Sequence, residues 1–288
     1  MKLLRYGAAG AERPALLDAG GTMRDLSGVL DDLDGAALAP ASLARLAALD
    51  AAGLSPLAPG GRIGAPVARV GKFVAIGLNY RDHAEEAGMP IPAEPIVFLK
   101  AVSCIAGPHD AIVRPPDSTK LDWEVELGVV IGQRASHVPE ERALAHVAGY
   151  CVANDVSERA FQLERGGTWD KGKGCDTFGP LGPWLVTADE VGDPQALGLW
   201  LDVNGVRCQT GSTANMIFSC ARIVSYVSRF MTLHPGDVIA TGTPPGVGMA
   251  MKPPRYLVPG DVVTLGIERL GAQRQVVRAW APEAADAG

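Results

Sequence analysis

The chain has 288 residues, 47% of them hydrophobic and 20% charged, with a formal net charge of -6. This composition fits one large globular domain, or one domain with a small appendage. It offers no basic patch of the kind nucleic-acid binding needs, and no apolar run approaches the roughly 20 residues of a membrane span. Nucleic acid and membrane are therefore not expected partners.

Met1-Lys2-Leu3-Leu4-Arg5-Tyr6 lacks the apolar core of a signal peptide. Cys104, Cys151, Cys175, Cys208 and Cys220 are scattered and never form a CxxC pair. That pattern predicts reduced thiols in a cytoplasmic protein, with neither a disulfide frame nor a zinc site. Lys2–Tyr6, Pro14–Asp18 and Met23–Leu26 read as short strands, and Ser42–Asp50 as a helix with Leu43, Leu46 and Leu49 on one face. Ala52–Pro66 is rich in Gly, Pro and Ala and reads as a linker. A small N-terminal domain over 1–66 and a second domain over 67–288 are expected.

Lys72–Gly77 reads as a strand leading into a helix capped by Asn79 and stopped by Gly88. His83 and Glu86 share a face of that helix. Pro90, Pro92 and Pro95 follow, and such long connections are often lids. Pro95–Lys100 is a strand.

Asp122-Trp123-Glu124-Val125-Glu126-Leu127 alternates acid and apolar residues, then runs on as Gly128-Val129-Val130-Ile131. Period two predicts a strand, and the apolar continuation predicts that it is buried. Glu124 and Glu126 then project side by side. Buried acids repel one another unless something neutralises them. A solvated acidic edge is the plainer alternative.

Val147–Val156 reads as a strand ending at Asn154-Asp155, and Ser157–Leu163 as a helix with Ser157 at its N-cap. Gly166–Pro180 is too glycine-rich for regular structure. Trp184–Thr187, Leu199–Asn204, Asp237–Thr241, Asp261–Glu268 and Gln275–Trp280 are expected strands, and Met216–Met231 the longest helix. Many strands without βαβ alternation predict a mainly β, α+β fold. Asp155 ends one buried strand as Glu124 and Glu126 begin another. Three such carboxylates form a hard oxygen cage suited to Mg²⁺, Mn²⁺ or Ca²⁺, not to zinc or copper. Asp122 reads as an acid supporting this cage from behind.

Several motifs together resemble the fumarylacetoacetate hydrolase family. They are Gly77-x-Asn79-Tyr80-x-x-His83-x-x-Glu86, Glu124-x-Glu126, Asn154-Asp155-x-x-x-Arg159, Lys173-Gly-x-Asp-Thr-x-Gly-Pro180, Met216-Ile-Phe and Gly236-Asp237-x-Ile-x-Thr241-Gly242-Thr243-Pro. The resemblance covers about residues 70–280 and is nearest to the bacterial subgroup acting on 2,4-diketo-3-deoxy sugar acids, often labelled ureidoglycolate lyase.

It implies a mixed β-sandwich roll of the family's C-terminal type, a small N-terminal α+β domain, and a homodimer. It implies Mg²⁺ on Glu124, Glu126 and Asp155. It also implies substrate contacts from Arg159, Lys173, Thr243 and Gln209, and a catalytic His83–Glu86 dyad on a lid, with Lys173 adding positive charge at the developing oxyanion. The expected activity is hydrolysis of a carbon–carbon bond in a 2,4-diketo acid to give pyruvate and a shorter acid. A lyase or decarboxylase using the same metal, acting on ureidoglycolate or oxaloacetate, and a keto-acid binding protein without activity, are the alternatives. His109, His137, His146 and His234 lack such company and read as structural.

Overall fold

The computed structural model describes residues 1–282. Its centre is the strand Val125–Ile131, buried along its whole length. Val147–Asn154 pairs with it antiparallel, matching Val125 with Asn154 and Glu126 with Ala153. Val238–Ala240 pairs on its other side. A strand buried on both faces has no use for alternation, which explains its continuous valine and isoleucine run.

The main sheet runs Met23–Asp25, Arg13–Leu17, Lys2–Tyr6, Gly179–Thr187, Val147–Asn154, Val125–Ile131, Val238–Ala240, Phe73–Gly77, Ile96–Lys100. All pairs on this path are antiparallel except Val238–Ala240 with Phe73–Gly77. A second sheet, Val206–Ser212, Gly198–Val203, Val262–Ile267, Gly271–Ala279, Ile112–Arg114, packs against the middle of the first. One apolar core fills the space between them, with Leu127, Val129, Val152, Leu201 and Leu265 fully buried. The mixed, sheet-dominated α+β fold expected from the sequence is what forms.

The N-terminal strands belong to the main sheet: Lys2 and Leu3 pair with Val186 and Leu185. The glycine- and proline-rich stretch after them is tied down as well. Ala51–Gly53 is a 3₁₀ turn, and Ile63–Gly64 pairs back onto Tyr6 and Arg5.

Several elements differ from expectation. The helix near residue 42 starts at Pro40, whose fixed φ suits the first helical turn, and ends at Ala47. The helix expected over Met216–Met231 is only Cys220–Val227, capped by the Ser219 hydroxyl. Ile217 and Phe218 lie outside it, before the extended Ser219 cap, and their N–H groups donate to the backbone and side-chain oxygens of Asn79. Asn79 itself is no helix cap. It is fully buried, and its amide donates to the Phe218 and Thr241 carbonyls, at 3.1 and 2.7 Å. Glu158, not Ser157, caps the next helix, Arg159–Glu164. The loop expected over 166–180 contains one helical turn, Asp170–Lys173. Among the described residues no helix is long and apolar enough to cross a membrane.

Candidate metal centre and active site

Antiparallel pairing at the head of the central strands builds the cage. The Glu124 N–H donates to Asn154 Oδ1 at 3.2 Å, and the Asp155 N–H to the Glu124 carbonyl at 2.9 Å. This fixes Asp155 beside Glu124, while the two-residue period sets Glu126 on the same face. One carboxylate oxygen from each of the three lies within 4.8 Å of the others. All three side chains are buried, Asp155 at 1% exposure.

Three cations surround the cage. Lys173 Nζ donates to Glu124 Oε2 at 2.6 Å and to Asp155 Oδ2 at 2.8 Å. Arg159 gives Nη2 to Glu124 Oε1 at 2.7 Å and Nε to Asp122 Oδ2 at 2.9 Å. Lys100 Nζ reaches Asp155 Oδ1 at 2.6 Å and also donates to the Val156 and Lys173 carbonyls. Lys100 is a member of the site that sequence reasoning missed. Asp122 accepts, besides Arg159, the N–H groups of Gly248 and Met249, at 2.7 and 3.1 Å. It supports the cage from behind and anchors the loop beside it.

The charges are unevenly shared. Burial opposes ionisation of Glu124, but Lys173 and Arg159 outweigh it and hold its carboxyl at about 2. Burial also opposes the charge on Lys173, and Asp155 and Glu124 override it, raising its pKa. Glu126 has no ion pair among the described residues. Its one hydrogen bond comes from the Gly242 N–H at 2.8 Å. Burial first, and then the charges of Asp155 and Glu124, push it well above the usual carboxylate range. Gly242 sits at φ +96, and a Cβ there would meet the Asn79 Cβ at 2.7 Å, so glycine is required to bring that N–H to Glu126. A divalent cation fits this set. The donors are hard oxygens, and one carboxylate is left without a compensating cation in a buried site.

The short helix Arg81–Glu86 faces the cage across a cavity of about 420 Å³. His83 Nδ1 lies 3.0 Å from Glu86 Oε2. Glu86 in turn accepts the Gly246 N–H at 3.0 Å, and Asp82 accepts from Asn215 Nδ2 at 2.8 Å. The helix is thus docked at two points. His83, Glu86, Glu124, Glu126, Asp155, Arg159, Lys173 and Thr243 all line this cavity.

Gln209, expected to touch substrate, does not line it. Its amide donates to Thr243 Oγ1 and the Pro244 carbonyl, and its oxygen accepts the Val125 N–H. Gln209 is fully buried behind Thr243 and braces that turn instead. The Thr243 hydroxyl is itself occupied, donating to the Val125 carbonyl at 2.9 Å.

Comparison with known proteins shows the family. Residues 72–278 match the family model described as fumarylacetoacetate (FAA) hydrolase C-terminal. A Burkholderia multivorans relative, named only "putative hydrolase", is 62% identical over 97% of this chain and 99% of its own. A probable 2-hydroxyhepta-2,4-diene-1,7-dioate isomerase from Mycobacterium abscessus superposes with a TM-score of 0.84 at 35% identity, covering 98% of this chain and all of that one. Maleylpyruvate hydrolase from Sphingobium sp. SYK-6, solved with manganese(II) and pyruvate, gives a TM-score of 0.82 at 28% identity, with 98% and 100% covered. The chain belongs to the fumarylacetoacetate hydrolase family.

Proposed function

We propose that the protein is a divalent-metal-dependent hydrolase that cleaves a carbon–carbon bond in a 2,4-diketo acid, releasing pyruvate and a shorter acid. The observation that carries this reading is that one cavity holds both the three-carboxylate cage and the His83–Glu86 pair. A cation held by Glu124, Glu126 and Asp155, Mg²⁺ by preference with Mn²⁺ or Ca²⁺ compatible, would supply Lewis acidity toward the 2-keto acid end.

The chain's own residues then do the proton chemistry. Ionised Glu86 holds the proton of His83 on Nδ1, leaving Nε2 as the basic nitrogen. Nε2 takes a proton from water, whose oxygen adds to the 4-carbonyl. The C3–C4 bond breaks, its electron pair passes into the enolate of pyruvate, and the proton returns to C3. Lys173 and Arg159 carry positive charge beside the substrate oxygens, and Thr243 shapes the adjoining wall.

The resemblance to enzymes of diketo-deoxy sugar acids implies a hydroxylated tail on the substrate, whereas most of the cavity lining away from the cage is apolar. The likeness to an isomerase favours a second reading, in which the same cage stabilises an enolate without water attack, as a lyase or decarboxylase would also do. Incubation with acetylpyruvate and Mg²⁺ separates these readings. Pyruvate and acetate formed one to one are expected, whereas carbon dioxide release or an isomer with no cleavage would overturn hydrolysis.

We also read the protein as a cytoplasmic homodimer. The edge strand Ile96–Lys100 and the turn after it leave Leu99 and Val102 exposed, which supports a partner copy at that edge.

A further inference from the structure

The cavity has two unlike halves. Every charged group in it lies at the cage or on the His83–Glu86 pair. Arg159 and Lys173 are its only basic residues besides His83 among the described residues, and both are committed to carboxylates. Few neutral polar groups remain. The Thr243 hydroxyl donates to a backbone carbonyl and Gln162 Oε1 accepts from Arg159, which leaves the Gln162 amide N–H groups and the Trp169 indole N–H as donors on the lining.

The rest of the lining is largely aromatic and aliphatic. Phe98 bridges the halves: Lys173 Nζ stands 5.4 Å from its ring centroid, and the Trp169 ring meets it edge-on at 5.2 Å. Trp169 lies so close over Gly77 that a Cβ there would come within 2.6 Å of the indole. A bare backbone at Gly77 is thus what lets the indole form the wall. Met89, Leu163 and Met249 line the mouth and remain exposed to solvent. An exposed apolar rim continuous with an apolar wall marks a ligand surface.

We propose that the part of the substrate beyond the 2-keto acid is an uncharged, unhydroxylated acyl or aryl group, held against Trp169, Phe98 and the methionines. Trp169 is then a specificity-determining residue. This rests on the reading that the cage takes the 2-keto acid end. A second carboxylate on the tail would find no uncommitted cation among the described lining residues. A polyol tail would have only the Gln162 amide and the Trp169 indole N–H to pair with, and its other hydroxyls would lie against carbon.

The test compares kcat/KM of the Mg²⁺-loaded protein on 2,4-diketo acids that differ only in the tail: acetyl, hexanoyl, benzoyl, polyhydroxyalkyl and carboxyalkyl. Calorimetric binding of phenylpyruvate, 2-ketoglutarate and a polyhydroxy 2-keto acid runs beside it. Hexanoyl and benzoyl should exceed the hydroxylated and charged tails on the order of tenfold to a hundredfold. Phenylpyruvate should bind tightest by a similar margin. Trp169→Ala should raise KM most for benzoyl and least for acetyl, and Trp169→Phe should recover part of that loss. Gly77→Ala, which displaces the ring without removing it, should reproduce the pattern. Preference for a hydroxylated or charged tail, or an equal loss on every tail in Trp169→Ala, would overturn the proposal. If no diketo acid turns over, hydrolysis is wrong, while the binding order still decides the tail; a flat or reversed order, or no binding at all, rejects it.

Discussion

Glu126 and Lys100 carry the residue-scale consequences. In the metal-free protein Glu126 is raised well above its ordinary 4.5 by burial and by the charges of Asp155 and Glu124. Between that ordinary value and the raised one, the folded metal-free protein binds a proton that the unfolded chain has lost. Its stability therefore falls as pH rises through the window. A cation must displace the same proton, so metal affinity should rise with pH there, by up to about tenfold per unit, and level off above it. Calorimetric titration in buffers of different ionisation enthalpy should show about one proton released, and none in Glu126→Gln; no release from the wild type would contradict this assignment. Lys100 is buried with its ammonium committed to Asp155 and two carbonyls. Lys100→Met should cost the metal-free protein roughly 3–5 kcal/mol, the usual penalty for stranding a buried charge. Unchanged melting would show that Asp155 is held by other means. The acids were legible because period-two alternation forces Glu124 and Glu126 to one face. Lys100 was not, because it ends an apolar strand and its partners lie 55 and 73 residues away. Gln209 was misplaced for a related reason: a motif gives a position in the chain, not which side of a loop the side chain faces.

Elements were legible where burial is periodic and illegible where a distant group claims the backbone. The apolar spacing through Met216-Ile217-Phe218 continues a helical pattern, yet Asn79 takes two of its N–H groups and the segment forms a bend outside the helix. Val206–Ser212 went unread because it is an edge strand in which only Gln209, a polar residue, is buried. Its turn signal, Asn204-Gly205, with both residues at positive φ, was nevertheless present. The helix Arg81–Glu86 is six residues long and too short to stand alone. Glu86 both contacts His83 and fastens this helix to the Gly246 N–H. His83→Ala and Glu86→Ala should therefore differ. His83→Ala should lower kcat by about 10²–10⁴-fold, the range for general-base catalysis, while leaving oxalate affinity and the helix's amide protection near normal. Glu86→Ala should lower kcat and also speed hydrogen exchange of the amides in 81–87. Equal exchange in both variants would remove the fastening role, and loss of oxalate binding in His83→Ala would make His83 a binding residue.

At the scale of the molecule, the cage stands at the head of the central strands of the main sheet, while the helix Arg81–Glu86 and the glycine-rich loop that carries Trp169 both contribute to the cavity lining. The mixed-sheet class was readable from strand count and the absence of βαβ alternation. Pairing of the N-terminal strands with Gly179–Thr187 was not, because register across so long a separation leaves no local trace. A dimer at the Ile96–Lys100 edge should give twice the 30.0 kDa chain mass by light scattering at micromolar concentration, and Leu99→Lys should weaken it; a monomer throughout would refute it. The central claim, that the three-carboxylate cage holds the cation the reaction needs, has its most direct test in exhaustive chelation followed by Mg²⁺ or Mn²⁺ add-back, assayed by pyruvate release from an acylpyruvate. Activity should vanish on chelation and return with metal. Glu126→Gln and Asp155→Asn should need much more metal to recover any of it. Full activity in chelator, or recovery of both variants at the wild-type metal concentration, would contradict the account.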